Sequence, residues 1–328
     1  MTMSTLTTPT STTPSANSAI QTHALTKTFG ATAALTGVSL AVPEGAIYAL
    51  VGANGAGKTT IIKLLMNILR PTSGSAHILG LDSHDVAGAA FNRIGYVSEN
   101  QDLPEWMTVG AMLDYMRPFY PRWDRTLEQQ LVRQFDLPLT RKLKHLSRGM
   151  KMKAAFASSL AYRPSLIILD EPFSGLDPLV RDELIEGLLD RAPETTIFLS
   201  SHDLAEIESF ASHVGYLENG RMLFSEEMSV LSDRFRDITI TLPTPSPLPA
   251  TIPATWLVPE TVDHVIRFVH SDYNDRTTAA ELTSIFPSAR DIAIDPMPLR
   301  SIFLAIAKSG RAHNHAPQSL APGRRSEA

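Results

Sequence analysis

Short, nearly continuous apolar runs alternate along the chain with stretches in which apolar residues recur every three or four positions. That alternation predicts an α/β fold built partly on a parallel sheet. The runs at residues 47–51, 93–98, 166–170 and 195–200 predict strands, apolar on both sides of the pleat as burial between helices demands. Between residues 100 and 162 the strand signal vanishes. There Asp124, followed by Leu127, Leu131 and Phe135 at four-residue spacing, predicts a capped amphipathic helix inside an inserted helical subdomain. Prolines at 243, 245, 247, 249 and 253 break the pattern and predict an extended linker between two domains, 20–235 and 236–308. Segments 265–269, 279–286, 291–294 and 299–308 predict a small α+β appendage after that linker. The Ser/Thr-rich residues 1–19 and the final stretch 309–328 are expected to be disordered tails.

Composition changes this picture little. With 43% hydrophobic and 19% charged residues in 328, the chain reads as globular. Its net charge of -5 gives no bulk attraction to nucleic acid, and no nucleic-acid partner is expected. The absence of cysteine removes disulfides, thiolate metal sites and cysteine nucleophiles together. No run of 18 apolar residues occurs, so any membrane role is expected to be peripheral.

Chemistry is concentrated in two places. Gly52-Ala53-Asn54-Gly55-Ala56-Gly57-Lys58-Thr59 matches the phosphate-cradling P-loop and sits between an apolar strand and an apolar helix starting near Thr60. Its glycines let backbone N–H groups turn onto phosphate oxygens, Lys58 adds a full positive charge, and Thr59 is placed to hold Mg2+. The run Leu166-Ile167-Ile168-Leu169-Asp170-Glu171 ends a strand in two carboxylates. Asp170 is suited to Mg2+ and Glu171 to polarising an attacking water.

With these two elements on the page, the chain resembles an ABC ATPase cassette over roughly residues 20–235: a P-loop mixed-sheet core, an inserted helical subdomain and, here, a small C-terminal α+β appendage. Leu146-Ser147-Arg148-Gly149-Met150 resembles the family's signature loop, Ser174-Gly175-Leu176-Asp177-Pro178 its D-loop, and His202 in Ser-Ser-His-Asp its switch histidine. Phe29 stands where the family stacks an aromatic ring on adenine. The resemblance implies Mg2+-dependent ATP hydrolysis in a head-to-tail dimer of cassettes, identical or homologous. Ser147, Gly149 and Asp177 of one copy would complete the ATP site of the other. It also implies a membrane-spanning permease on a separate chain and a peripheral place on the cytoplasmic side of the cell membrane.

Two positions depart from the family pattern. Glu99 replaces the usual glutamine after the strand at 94–98, with Gln101 two residues on. A carboxylate there binds Mg2+ or stands as a solvated loop acid, and both readings remain open. About 5 Å from a phosphate charge, its repulsion is roughly 3 kcal/mol at an effective dielectric near 20. Arg148 and Met150 replace glycine and glutamine in the signature loop, which bears on turnover rather than on binding. These variants and the appendage resemble bacterial export-type cassettes. The apolar Leu103, Trp106 and Met107 read either as local core or as the permease dock. Two other functions are carried forward: a soluble ABC ATPase with a regulatory role, and a module that senses ATP without hydrolysing it.

Overall fold

The structure, a computed structural model, describes residues 18–99, 101–249 and 251–314. Most of the predicted N-terminal tail (1–17), the end of the C-terminal one (315–328) and Asn100 lie outside the described residues. The chain divides into two compact units, Met1–Met228 and Ser229–Ala328.

The first unit opens with a long antiparallel hairpin, β1 (Ser18–Phe29) and β2 (Thr32–Pro43). The apolar run Ile47–Val51 is the wholly buried β3, and the glycine loop feeds from it into α1 (Lys58–Leu65). Next come β4 (Ser73–Ile78), the two-residue β5 (Leu81–Asp82) and β6 (Ile94–Ser98). Three helices follow: α2 (Val109–Met116), α3 (Arg125–Gln134) and α4 (Arg148–Leu160). The unit closes with β7 (Leu166–Asp170), α5 (Pro178–Leu189), β8 (Thr196–Ser201), β9 (His213–Glu218) and β10 (Arg221–Glu227).

Two sheets result. One is antiparallel, in the order β2-β1-β4-β5. The other runs β10-β9-β3-β8-β7-β6, parallel except at the β10 edge. Side chains from both sheets and from α1 share one buried core, including Leu25, Leu35, Tyr48, Ile61, Ile168 and Phe198. All four predicted strands are present within a residue of their expected ends. The antiparallel sheet was not predicted, because its strands mix Thr, Ser, Ala and His with few long apolar runs.

In the helical segment, Asp124 caps α3 by accepting from the Thr126 and Leu127 N–H groups at 2.8 and 3.0 Å, and it also accepts from Arg163 Nε at 2.9 Å. The Leu127 N–H and the guanidinium hold this carboxyl below the usual range. Its folded value being depressed, the stabilisation is present above the unfolded value and lost as pH falls through the folded one. Asp124→Ala is expected to cost about 1 kcal/mol at neutral pH, with the difference from wild type shrinking in acid. Urea melts at two pH values check this. The helix α4 ends pinned to the sheet: Tyr162 Oη donates to Ile94 O at 2.9 Å and Ser159 Oγ to Tyr96 O at 3.1 Å.

The second unit opens with α6 (Met228–Arg234), which starts at the boundary, and goes on with β11 (Arg236–Thr241), β12 (Trp256–Val262), β13 (Val265–His270), α7 (Thr278–Ile285), β14 (Asp291–Pro296) and α8 (Leu299–Asn314). Its antiparallel sheet, ordered β12-β13-β11-β14, closes over Ile238, Ile266, Leu282 and Phe286, with Trp256 stacked on Phe268 at 3.8 Å. The proline run is therefore not an interdomain linker. It lies inside this unit, because β11, which precedes it, pairs with β13 and β14, which follow it. The expected tail from residue 309 is also corrected: α8 continues to Asn314.

Candidate active site

Parallel register sets the site. Val51 is level with Ser201, Ser200 with Asp170, and Asp170 with Ser98, so the carboxyl ends of β3, β8, β7 and β6 form one line. Ligands gather at such an edge in open α/β sheets.

The glycine loop needs its glycines. Gly57 lies at φ 111°, and a Cβ on it would meet Ala34 O at 2.8 Å; one on Gly52 would meet Leu217 O at 2.3 Å. Gly57 is also the N-cap of α1 and offers no side-chain acceptor. The first-turn N–H groups of α1 have no intrahelical acceptor and face outward with the positive end of the helix dipole. This is an anion cradle open to a phosphate.

Around it the chain brings together the residues expected of both motifs. Lys58, 5% exposed, donates to Gly52 O at 2.6 Å and to Ala53 O at 3.3 Å, and its Nζ lies 3.0 Å from Glu171 Oε1. That oxygen is buried and accepts no hydrogen bond among the described residues, so Lys58 is its close company. The other carboxylate oxygen, Oε2, is 2.7 Å from His202 Nδ1. Thr59 Oγ1 donates to Asp170 Oδ1 at 3.0 Å. Glu171 itself lies at φ 52°, the left-handed region that non-glycine residues rarely occupy, which marks a conformation imposed by its surroundings.

One residue of this cluster was not anticipated. Ser200, fully buried, donates its hydroxyl to Asp170 Oδ1 at 2.7 Å and accepts from Glu171 N–H at 2.9 Å, fixing both carboxylates from the neighbouring strand. Its signal in the sequence was a hydroxyl residue ending an apolar strand two positions before His202.

The hydrogen bond that its Nδ1–H donates to Glu171 holds the His202 imidazolium above its ordinary range, against some desolvation. With the folded value raised, the pair is complete at acid pH and is lost as pH rises through that value. An NMR titration of His202 is expected to give a midpoint above about 6.5, falling toward it in Glu171→Gln. An unmoved midpoint would show that the contact carries no charge interaction.

The remaining expected site residues are held apart from this cluster. Phe29 is exposed at the end of the β1–β2 hairpin, with Lys27 Nζ 5.1 Å from its ring centre. Ser147 is the N-cap of α4 and accepts from Met150 N–H at 3.2 Å, and Asp177 caps α5 through Leu179 N–H at 3.0 Å. Gly149 packs where a Cβ would stand 3.0 Å from Val180 Cγ1. Glu99 is intermediate. Its N–H donates to Asp170 O at 2.9 Å, but its carboxylate turns to Arg148 Nη2 at 2.7 Å.

The donor set suits Mg2+ held jointly by Thr59, Asp170 and phosphate oxygens, since Mg2+ takes few protein ligands alongside substrate phosphates. No group of three or more His, Asp or Glu that could hold a metal ion occurs among the described residues. No described helix is long and apolar enough to cross a membrane.

Residues 35–174 match the family model described as ABC transporter. The chain is 30% identical over 227 residues to the ABC transporter ATP-binding protein YtrB of Bacillus subtilis, covering 69% of this chain and 77% of that one. It is 31% identical over 224 residues to the bacitracin transport ATP-binding protein BcrA of Enterococcus faecalis, covering 67% and 73%. Among solved structures, an ATP-binding subunit of an ABC transporter superposes with a TM-score of 0.60 at 30% identity, covering 65% of this chain and 92% of that one.

Proposed function

Because this chain belongs to the ABC transporter family, as one of its ATP-binding cassette ATPases, we propose that it drives transport, in the export direction, through a membrane-spanning permease on a separate chain. In this reading two cassettes close head to tail on ATP at the cytoplasmic face of the membrane and reopen after hydrolysis. The observation that carries it is the convergence of Lys58, Thr59, Asp170, Glu171 and His202 at the ends of adjacent parallel strands, around an open anion cradle.

The chain's own residues divide the work. The loop 52–59 grips the phosphates through backbone N–H groups and Lys58. Thr59 and Asp170 would hold Mg2+, and Ser200 fixes the Asp170 rotamer by donating to Oδ1. When bound, the metal neutralises phosphate charge and orients the γ-phosphate for in-line displacement. In the structure Glu171 is engaged by Lys58 and His202 at once. A γ-phosphate competes for both cations, and Glu171 is then freed to take the proton of the attacking water. His202 moves to the phosphate and stabilises charge developing there. Ser147 and Gly149 at the start of α4 supply the mate's half of the site, and Asp177 shapes the loop beside it. Phe29 meets the adenine.

The permease dock falls on the helical segment. Trp106, Tyr115 and Phe119 are 71, 59 and 61% exposed there, a concentration of large apolar surface that suits a protein partner. One relative is a bacitracin transport ATP-binding protein, and export of an antibiotic is our proposal for this chain.

Steady phosphate release by the purified chain with Mg-ATP tests the enzyme against the sensor reading, and retention on membranes only when the permease is co-expressed tests transport against a soluble regulatory role. Glu99→Gln is expected to shift the Mg2+ concentration for half-maximal hydrolysis. Superimposable Mg2+ titrations would leave Glu99 as a loop acid.

A further inference from the structure

The first turn of α4 contains no acidic residue and carries two cations, Arg148 and Lys151. Positive charge there opposes the helix dipole, whose positive end emerges at the N-terminus, so this turn calls for an anion in front of it. Within the chain, two acids of one segment serve: Arg148 Nη2 donates to Glu99 Oε1 at 2.7 Å and Lys151 Nζ to Glu105 Oε1 at 2.8 Å. The Arg148–Glu99 pair is a solvated one, its side chains 48 and 32% exposed, so water screens it and exchange for a stronger anion is easy. The guanidinium also passes 3.2 Å from the place a Cβ on Gly175 would take, which puts it beside the loop leading to Asp177.

We propose that Arg148 is a substrate-contacting residue acting in trans: as two copies close, its guanidinium leaves Glu99 and donates to a γ-phosphate oxygen of the ATP held on the partner copy's glycine loop. This rests on the head-to-tail reading above. The planar fork of arginine matches phosphate oxygens in a way a glycine at this position cannot. The exchange replaces a water-screened carboxylate by a more highly charged group enclosed between two proteins, where the attraction is stronger. Ser147 caps the same helix start, so Arg148 adds full charge to a dipole of the same sign. The exchange also frees the Glu99 carboxylate, whose backbone is bonded to Asp170.

The test uses the full-length chain with Glu171→Gln, to disable turnover, and sedimentation velocity over a range of protein concentrations with Mg-ATP. Adding Arg148→Gly or Arg148→Gln is expected to raise the concentration for half-dimerisation by roughly tenfold or more, the weight of a charge-assisted hydrogen bond, and to flatten its dependence on salt. Arg148→Lys should recover part of the loss and serves if the neutral variants fold poorly. Binding of a fluorescent ATP analogue by dilute, monomeric protein should be the same in all of them. If the parent dimerises and the neutral variants match it, or dimerise more tightly, Arg148 only partners Glu99 and the proposal is overturned. If the parent itself stays monomeric with Mg-ATP, the head-to-tail reading fails first and this proposal falls with it.

Discussion

Glu171→Gln is expected to lower phosphate release by roughly 10²–10⁴-fold, the usual worth of a positioned general base, while leaving ATP binding intact and accumulating an ATP-bound dimer. The amide keeps the size of the side chain and an oxygen that can stand beside Lys58. What it loses is the ability to take a proton. Glu171 is placed for this loss to matter: its backbone is held at φ 52° and its N–H is fixed by the buried Ser200, so the carboxyl has little freedom to be replaced by a neighbour. Single-turnover phosphate release measures the effect. A variant hydrolysing at the wild-type rate would move the base elsewhere and leave Glu171 as a counterion for Lys58.

Lys58→Ala acts on the other half of the reaction. The ammonium is nearly buried against the Gly52 and Ala53 carbonyls of the glycine loop, and loss of a charge-assisted contact to phosphate is worth about 1.5–3 kcal/mol, which is about 10- to 100-fold in affinity. Nucleotide binding measured by fluorescence should weaken by that factor, and binding of adenosine, which lacks phosphates, should not change. An unaltered ATP affinity would mean that the backbone cradle alone holds the phosphates.

Much of this site was legible in the sequence because its two motifs bring their own local geometry. A glycine run between an apolar strand and helix has one steric solution, and an apolar strand ending in Asp170-Glu171 needs only its neighbours in parallel register to face the loop. Ser200 escaped notice because its role is a cross-strand one, set by register and not by local pattern. The antiparallel sheet escaped for a related reason: β1 and β4 are half polar and become strands by pairing with each other. The proline run misled differently. Its residues do extend the chain, as their chemistry demands, but between two strands of one sheet, a long-range pairing that local composition does not encode. Arg148 and Glu99 were each visible as departures from the family pattern. Their mutual contact, across 49 residues, was not.

The central claim, that ATP is gripped between the glycine loop of one copy and the start of α4 in its mate, can be read directly because the chain has no native cysteine. One batch of Glu171→Gln protein carries Asn54→Cys, in the exposed part of the glycine loop, and another carries His145→Cys, exposed just ahead of Ser147. The two are mixed and treated with a short bis-maleimide. The expected result is a mixed cross-linked dimer that forms with Mg-ATP and not with Mg-ADP. Cross-linking that ignores the nucleotide, or that never joins the two different chains, would contradict it.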